Sequence, residues 1–101
     1  MALSLKPGVL FEEIHERIVE ALPTLERIYA HFGKTLVITS ARDGKHKAGS
    51  LHYEGKAIDL RTRDFTPLQR QDVHFECQNQ LGVDFDVVLE KDHIHCEFDP
   101  P

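Results

Sequence analysis

Apolar side chains recur at helical spacing between residues 10 and 32: Leu10, Ile14, Ile18, Leu22, Leu25, Ile28 and Phe32, with Glu12, Glu13, Glu16, Arg17 and Glu20 between them. Such spacing draws one apolar stripe down an amphipathic helix, and Gly33 supplies a stop signal. Pro23 lacks the backbone donor that a helix interior uses, so a kink or a break into two helices is expected there. His15 and His31 belong to this stretch and read as surface residues. From residue 35 the period changes. Residues 35–40 (TLVITS) are short and β-branched, as strands are, and residues 41–50 (ARDGKHKAGS) are polar and glycine-containing, as loops are. Residues 56–62 alternate, with Ala57, Asp59 and Arg61 on one face and Ile58 and Leu60 on the other. Thr66 then suits an N-cap with Pro67 at the first helical position, and Gln69 is placed to close a capping box. The helix they open carries Val73, Cys77 and Leu81 on one face and stops at Gly82. Residues 85–89 and 93–98 read as two strands joined by a tight turn around Lys91, and Asp99-Pro100-Pro101 ends the last of them.

The order helix, strand, loop, strand, helix, strand, strand describes an α+β fold: a small, mostly antiparallel sheet with helices packed on one face. With 101 residues, 41% of them hydrophobic, the chain has material for one modest core, so residues 1–101 are expected to form a single domain. The formal net charge of −5 and the absence of any lysine- or arginine-dense stretch speak against binding to nucleic-acid backbones. No apolar run approaches the roughly 20 residues of a membrane span, so no membrane partner is expected. The first residues show no basic segment followed by an apolar one, hence no visible secretory signal. Cys77 and Cys96 do not make a disulfide framework or a paired zinc spacing, and read as buried, reduced thiols.

Histidine is the more informative residue. In the last strand His93, His95 and Glu97 share one face, while Ile94, Cys96 and Phe98 share the other. A strand half buried against helices turns its apolar face inward, which leaves both histidines on the open side. The same logic buries Ile58 and Leu60 and leaves Asp59 exposed. His52 lies just ahead of that strand, and Gly55 permits a turn that brings the imidazole back towards the carboxylate. Two neutral imidazoles and one carboxylate suit zinc, and three protein donors leave a fourth position open, as in catalytic rather than structural sites. His74 reads as an ordinary surface or hydrogen-bonded histidine.

Residues 50–59, SLHYEGKAID, fit the pattern S-x-H-x-x-G-x-A-x-D, and His93-Ile94-His95 supplies an H-x-H near the C-terminus. Together they resemble the superfamily of zinc D-alanyl-D-alanine metallopeptidases, phage endopeptidases of that type and the hedgehog signalling domain. The likeness to hedgehog is especially close in SLHYEG and in HIHC, and it runs from about Val37 to Phe98. The resemblance implies a zinc ion held by His52, Asp59 and His95, with His93 a neighbouring or oxyanion-stabilising group. It implies for Arg42 a substrate-binding role, gripping a carboxylate or polarising the scissile carbonyl. His46 stands where hedgehog also has a histidine near the metal. For the general base the resemblance leaves two carboxylates, Glu90 and Asp92, with Glu90 favoured by the H-x-H. Hedgehog's acidic calcium-binding loops have no counterpart here, so calcium is not expected.

By the same resemblance the expected activity is zinc-dependent hydrolysis of peptidoglycan stem peptides, as a D,D-carboxypeptidase or an endopeptidase. Separately, the chain is expected to be a monomer. The rival expectation is a non-catalytic module, because hedgehog keeps such a zinc site and acts as a ligand for other proteins.

Overall fold

The computed structural model describes residues 3–43 and 48–101. The described residues form seven elements: β1 (Leu3–Leu5), α1 (Glu16–His31), β2 (Leu36–Ser40), β3 (Ala57–Arg61), α2 (Pro67–Leu81), β4 (Phe85–Leu89) and β5 (His93–Phe98). The strands form one sheet in the order β1-β2-β3-β5-β4, with β1 parallel to β2 and every other pair antiparallel. Both helices pack on this sheet, so the architecture is the α+β arrangement anticipated from the chain.

Helix α1 starts later than the apolar stripe. Its N-cap is His15, whose Nδ1 accepts from the Arg17 N–H at 3.1 Å. Leu10 and Ile14 belong instead to an irregular strap whose Val9, Phe11 and Ile14 still pack on the core. Glu13, in the strap, has φ +52°, which is outside right-handed helical geometry. Pro23 does not split α1, which runs through it unbroken. Ile18 and Ala21 before it, and Leu25, Ile28 and Tyr29 after it, are all buried. Anchoring on both sides outweighs the one missing backbone hydrogen bond.

In α2 the capping box forms as read: Gln69 N–H donates to Thr66 Oγ1 and Thr66 N–H donates to Gln69 Oε1. Val73 and Cys77 of α2 are buried against the sheet, and Gly82 caps the end. His74 and Gln78 also do an edge strand's work. His74 Nε2 donates to Val87 O at 2.7 Å, while Gln78 accepts from Val87 N–H and donates to Phe85 O. These contacts cover the outer edge of β4 with side-chain partners, which protects it from pairing with another chain.

Strand β1 has no counterpart in the sequence reading, since three residues are too few to show a period. The core lies between the helices and the inner face of the sheet, built from Ile38, Ile58, Leu60, Ile94 and Cys96 below and Ile18, Leu25 and Val73 above. Cys77 and Cys96 are free and buried; burial pushes the Cys77 thiol up to about 12 and raises Cys96 as well.

Candidate metal centre

The site stands on the sheet face away from the helices, and the register assembles it. Asp59 of β3 pairs directly with His95 of β5, and two residues along Arg61 pairs with His93. Paired residues share a face, so Asp59, His95, His93 and Arg61 all belong to the same side. A register shift between Ile38 and Ser40 on β2 lies beside Asp59. Bulges of this kind re-aim a chain, and this one leads into Ala41, whose carbonyl points at His52.

His52 arrives on a compact turn preceding β3. Ser50 Oγ accepts from the His52 N–H at 3.2 Å, and Gly55 N–H donates to His52 O. The motif therefore has a physical reading: Ser50 pins the turn, Gly55 closes it, and His52 and Asp59 bring donors. The turn lies over the site face of β3, and this overturns the expectation that Asp59 is exposed. Asp59 is only 8% exposed and His52 1%.

The donor atoms converge closely. His52 Nε2 is 3.0 Å from Asp59 Oδ1 and 3.2 Å from His95 Nδ1, which is itself 3.1 Å from Asp59 Oδ1. The far side of each ring is occupied. His52 Nδ1 lies 2.7 Å from Ala41 O, and His95 Nε2 lies 2.6 Å from Glu97 Oε1. A carbonyl and a carboxylate only accept, so those two nitrogens carry the ring protons. In neutral rings the inward nitrogens then present bare electron pairs, aimed with the Asp59 carboxylate at one point. Three electron pairs in mutual contact repel unless a cation stands between them. Ligands about 2.0–2.1 Å from a tetrahedral zinc lie roughly 3.3 Å from one another, close to the edges of this triangle. The three residues can hold such an ion.

Without a metal a proton must take its place. Burial alone would raise Asp59, but hydrogen bonds from His52 and His95, and then the fields of His52 and His93, hold its carboxyl well below the usual range. Hydrogen bonding to Asp59 outweighs burial and, with Glu97 adding to it, lifts His95 from 6.5 to about 9. The signs follow. Asp59 stabilises the metal-free fold above its ordinary 3.8 and loses that contribution as pH falls. His95 contributes fully below 6.5 and loses its contribution as pH rises through about 9. The metal-free chain is thus expected to be most stable at mildly acidic pH, whereas cation affinity rises over the range in which His95 sheds its proton. Calorimetry in buffers of different ionisation enthalpy will show about one proton released per zinc bound near neutral pH. Uptake without proton release would contradict this arrangement.

His93 stands at the rim, with Nε2 3.7 Å from Asp59 Oδ1 and Nδ1 2.7 Å from Asp92 Oδ1. That hydrogen bond and the imidazole's charge hold Asp92 below the usual carboxylate range. Glu90 is exposed at the hairpin mouth, its N–H donating to His93 O at 2.8 Å. Arg42 turns elsewhere: its Nη1 meets Glu12 O and Glu13 Oε2, each at 3.4 Å. His46 lies outside the described residues. Two partners went unassigned in the sequence. The Ala41 carbonyl carries no signal, being backbone. Glu97 did carry one, a carboxylate two residues beyond His95 on the same strand face.

Fold and site define a small α+β domain with three donors, able to hold a cation, clustered on the open face of its sheet. Comparison with known families makes this specific: the Hedgehog amino-terminal signalling domain matches residues 13–97. The chain belongs to that family.

Proposed function

We propose that this chain is a zinc-holding recognition domain of the hedgehog signalling type, in which the ion ties the His52 turn to β3 and β5 and so shapes the surface offered to a protein partner. The observation that carries this reading is the triangle of electron pairs with edges of 3.0 to 3.2 Å, in a chain of a family named for signalling. Two carboxylates beside it are already engaged, Glu97 with His95 and Asp92 with His93, which suits a holding role.

One arrangement favours a second reading, metal-assisted hydrolysis of peptidoglycan stem peptides. Continuing the β4–β5 register, Glu90 pairs opposite His93, and side chains paired in this way share a face of the sheet. A bound zinc would supply a polarised water and carbonyl. Glu90 would be the group to take a proton from the attacking water and return it to the leaving amine; Asp92, the alternative base, is held by His93 and would orient that ring instead. His93 would be the donor to the developing oxyanion.

One experiment separates the two. Zinc-loaded chain is incubated with purified peptidoglycan and synthetic stem peptides, with and without chelator, while hydrogen exchange is followed over residues 48–56. The recognition reading expects slower exchange in that turn on metal uptake and no new amines. Chelator-sensitive amine release that Glu90→Gln abolishes would replace it with the hydrolase.

A further inference from the structure

Glu97 stands beside the centre, two residues beyond His95 on the same face of β5. Its Oε1 lies 2.6 Å from His95 Nε2, and its side chain is only 19% exposed. Yet it stands directly opposite Asp86 in the β4–β5 register, and two like charges facing each other across a strand pair repel. A carboxylate kept at the sheet surface beside another carboxylate needs an attraction that holds it, and the His95 imidazole is the group it touches. The ring's orientation depends on the same contact. Turned over about its long axis, the imidazole would present carbon both to Glu97 and to the Asp59–His52 pair, losing every polar contact it makes. Only the observed orientation aims Nδ1 at Asp59 Oδ1 and His52 Nε2.

We infer that Glu97 is a positioning residue for the metal centre: it fixes the tautomer and orientation of His95, so that Nδ1 rather than Nε2 is the coordinating atom, and strengthens His95 as a donor to a divalent cation. The inference rests on the metal reading above and deepens it. The physical basis is general. A carboxylate accepting from the far N–H of a ligating imidazole raises electron density at the metal-facing nitrogen and removes the freedom to rotate, and losing such a partner typically weakens binding by about 10–100-fold. The strand supplies the spacing. Residues two apart on a strand share a face roughly 6–7 Å apart, a gap that a glutamate spans to reach a neighbouring ring. The outer nitrogen of His52 is served differently, by the neutral Ala41 carbonyl at 2.7 Å.

The test titrates zinc alone against a chromophoric competitor for the full chain, Glu97→Gln, Glu97→Ala and Asp86→Asn, with cobalt spectra recorded on each. Wild type binding one zinc establishes the metal reading independently of the variants, and its failure to bind would remove that reading itself. Glu97→Ala is expected to weaken zinc about 10–100-fold and to shift the cobalt d–d bands as His95 changes orientation. Glu97→Gln keeps an acceptor of the same shape and is expected to recover part of the loss. Asp86→Asn, which removes a nearby charge without touching His95, should match wild type. Wild-type affinity in Glu97→Ala would overturn the inference, and so would equal losses in Glu97→Gln and Asp86→Asn, which would reduce Glu97 to a diffuse field. Far-UV circular dichroism of the metal-free variants confirms that the fold is kept.

Discussion

Asp59→Asn is expected to fold and to lose zinc. Asparagine keeps the size of the aspartate and one oxygen, but it brings no negative charge to the point where the electron pairs of His52 and His95 converge. Of the three donors only Asp59 offsets the ion's charge, and it faces both imidazoles from a buried position. The loss should exceed the roughly 10–100-fold that removal of an outer partner costs. Thermal denaturation reads it most clearly. At free zinc a thousandfold above its dissociation constant, the wild-type fold gains about 4.1 kcal/mol. For a domain of this size that is a rise in Tm of about 15–30 °C. Asp59→Asn should show almost none of that rise at the same zinc concentration. If it keeps the full rise, the ion sits somewhere other than between these three side chains.

Why the three donors were legible and their environment was not follows from how each signal arises. Asp59 and His95 sit on alternating strands, where period-two patterning places a side chain on a face without any tertiary knowledge. Both strands formed where the alternation put them, β3 at Ala57–Arg61 and β5 at His93–Phe98. The Thr66 cap is local for the same reason, since its partners are three residues away. What failed to show depends on contacts distant in sequence. The burial of Asp59 comes from a turn folding over it. The late start of α1 comes from the strap's pairing with the site loop, where Leu10 N–H donates to Asp43 Oδ1 and Arg42 N–H donates to Leu10 O. A helical stripe in the sequence cannot distinguish a sixth turn of helix from a strap that packs the same apolar residues. The unbroken helix at Pro23 is likewise a tertiary outcome, decided by the buried residues on either side.

Gly55→Ala is expected to damage both fold and site, because the strap lies directly against that position. A Cβ there would stand 2.3 Å from Glu13 O and 3.3 Å from Ile14 Cα, both backbone atoms that cannot swing aside as a side-chain tip would. The backbone at Gly55 also has φ +72°, a left-handed conformation that costs a residue with a Cβ about 1–3 kcal/mol. The two penalties together should reach about 3 kcal/mol or more, a fall in Tm of more than roughly 12 °C. Gly33→Ala provides the comparison. It has nearly the same φ, +73°, but nothing within 4 Å of the added carbon, so it registers backbone strain alone. The difference between the two variants then measures the close approach. Zinc affinity should fall with Gly55→Ala and hold with Gly33→Ala, because Gly55 N–H donates to His52 O while Gly55 O accepts from His15 N–H. Displacing this glycine therefore moves the ligand turn and the entry to α1 together. Equal Tm values for the two alanine variants would mean that the strap yields at no cost, and that Gly55 serves the motif only through its φ.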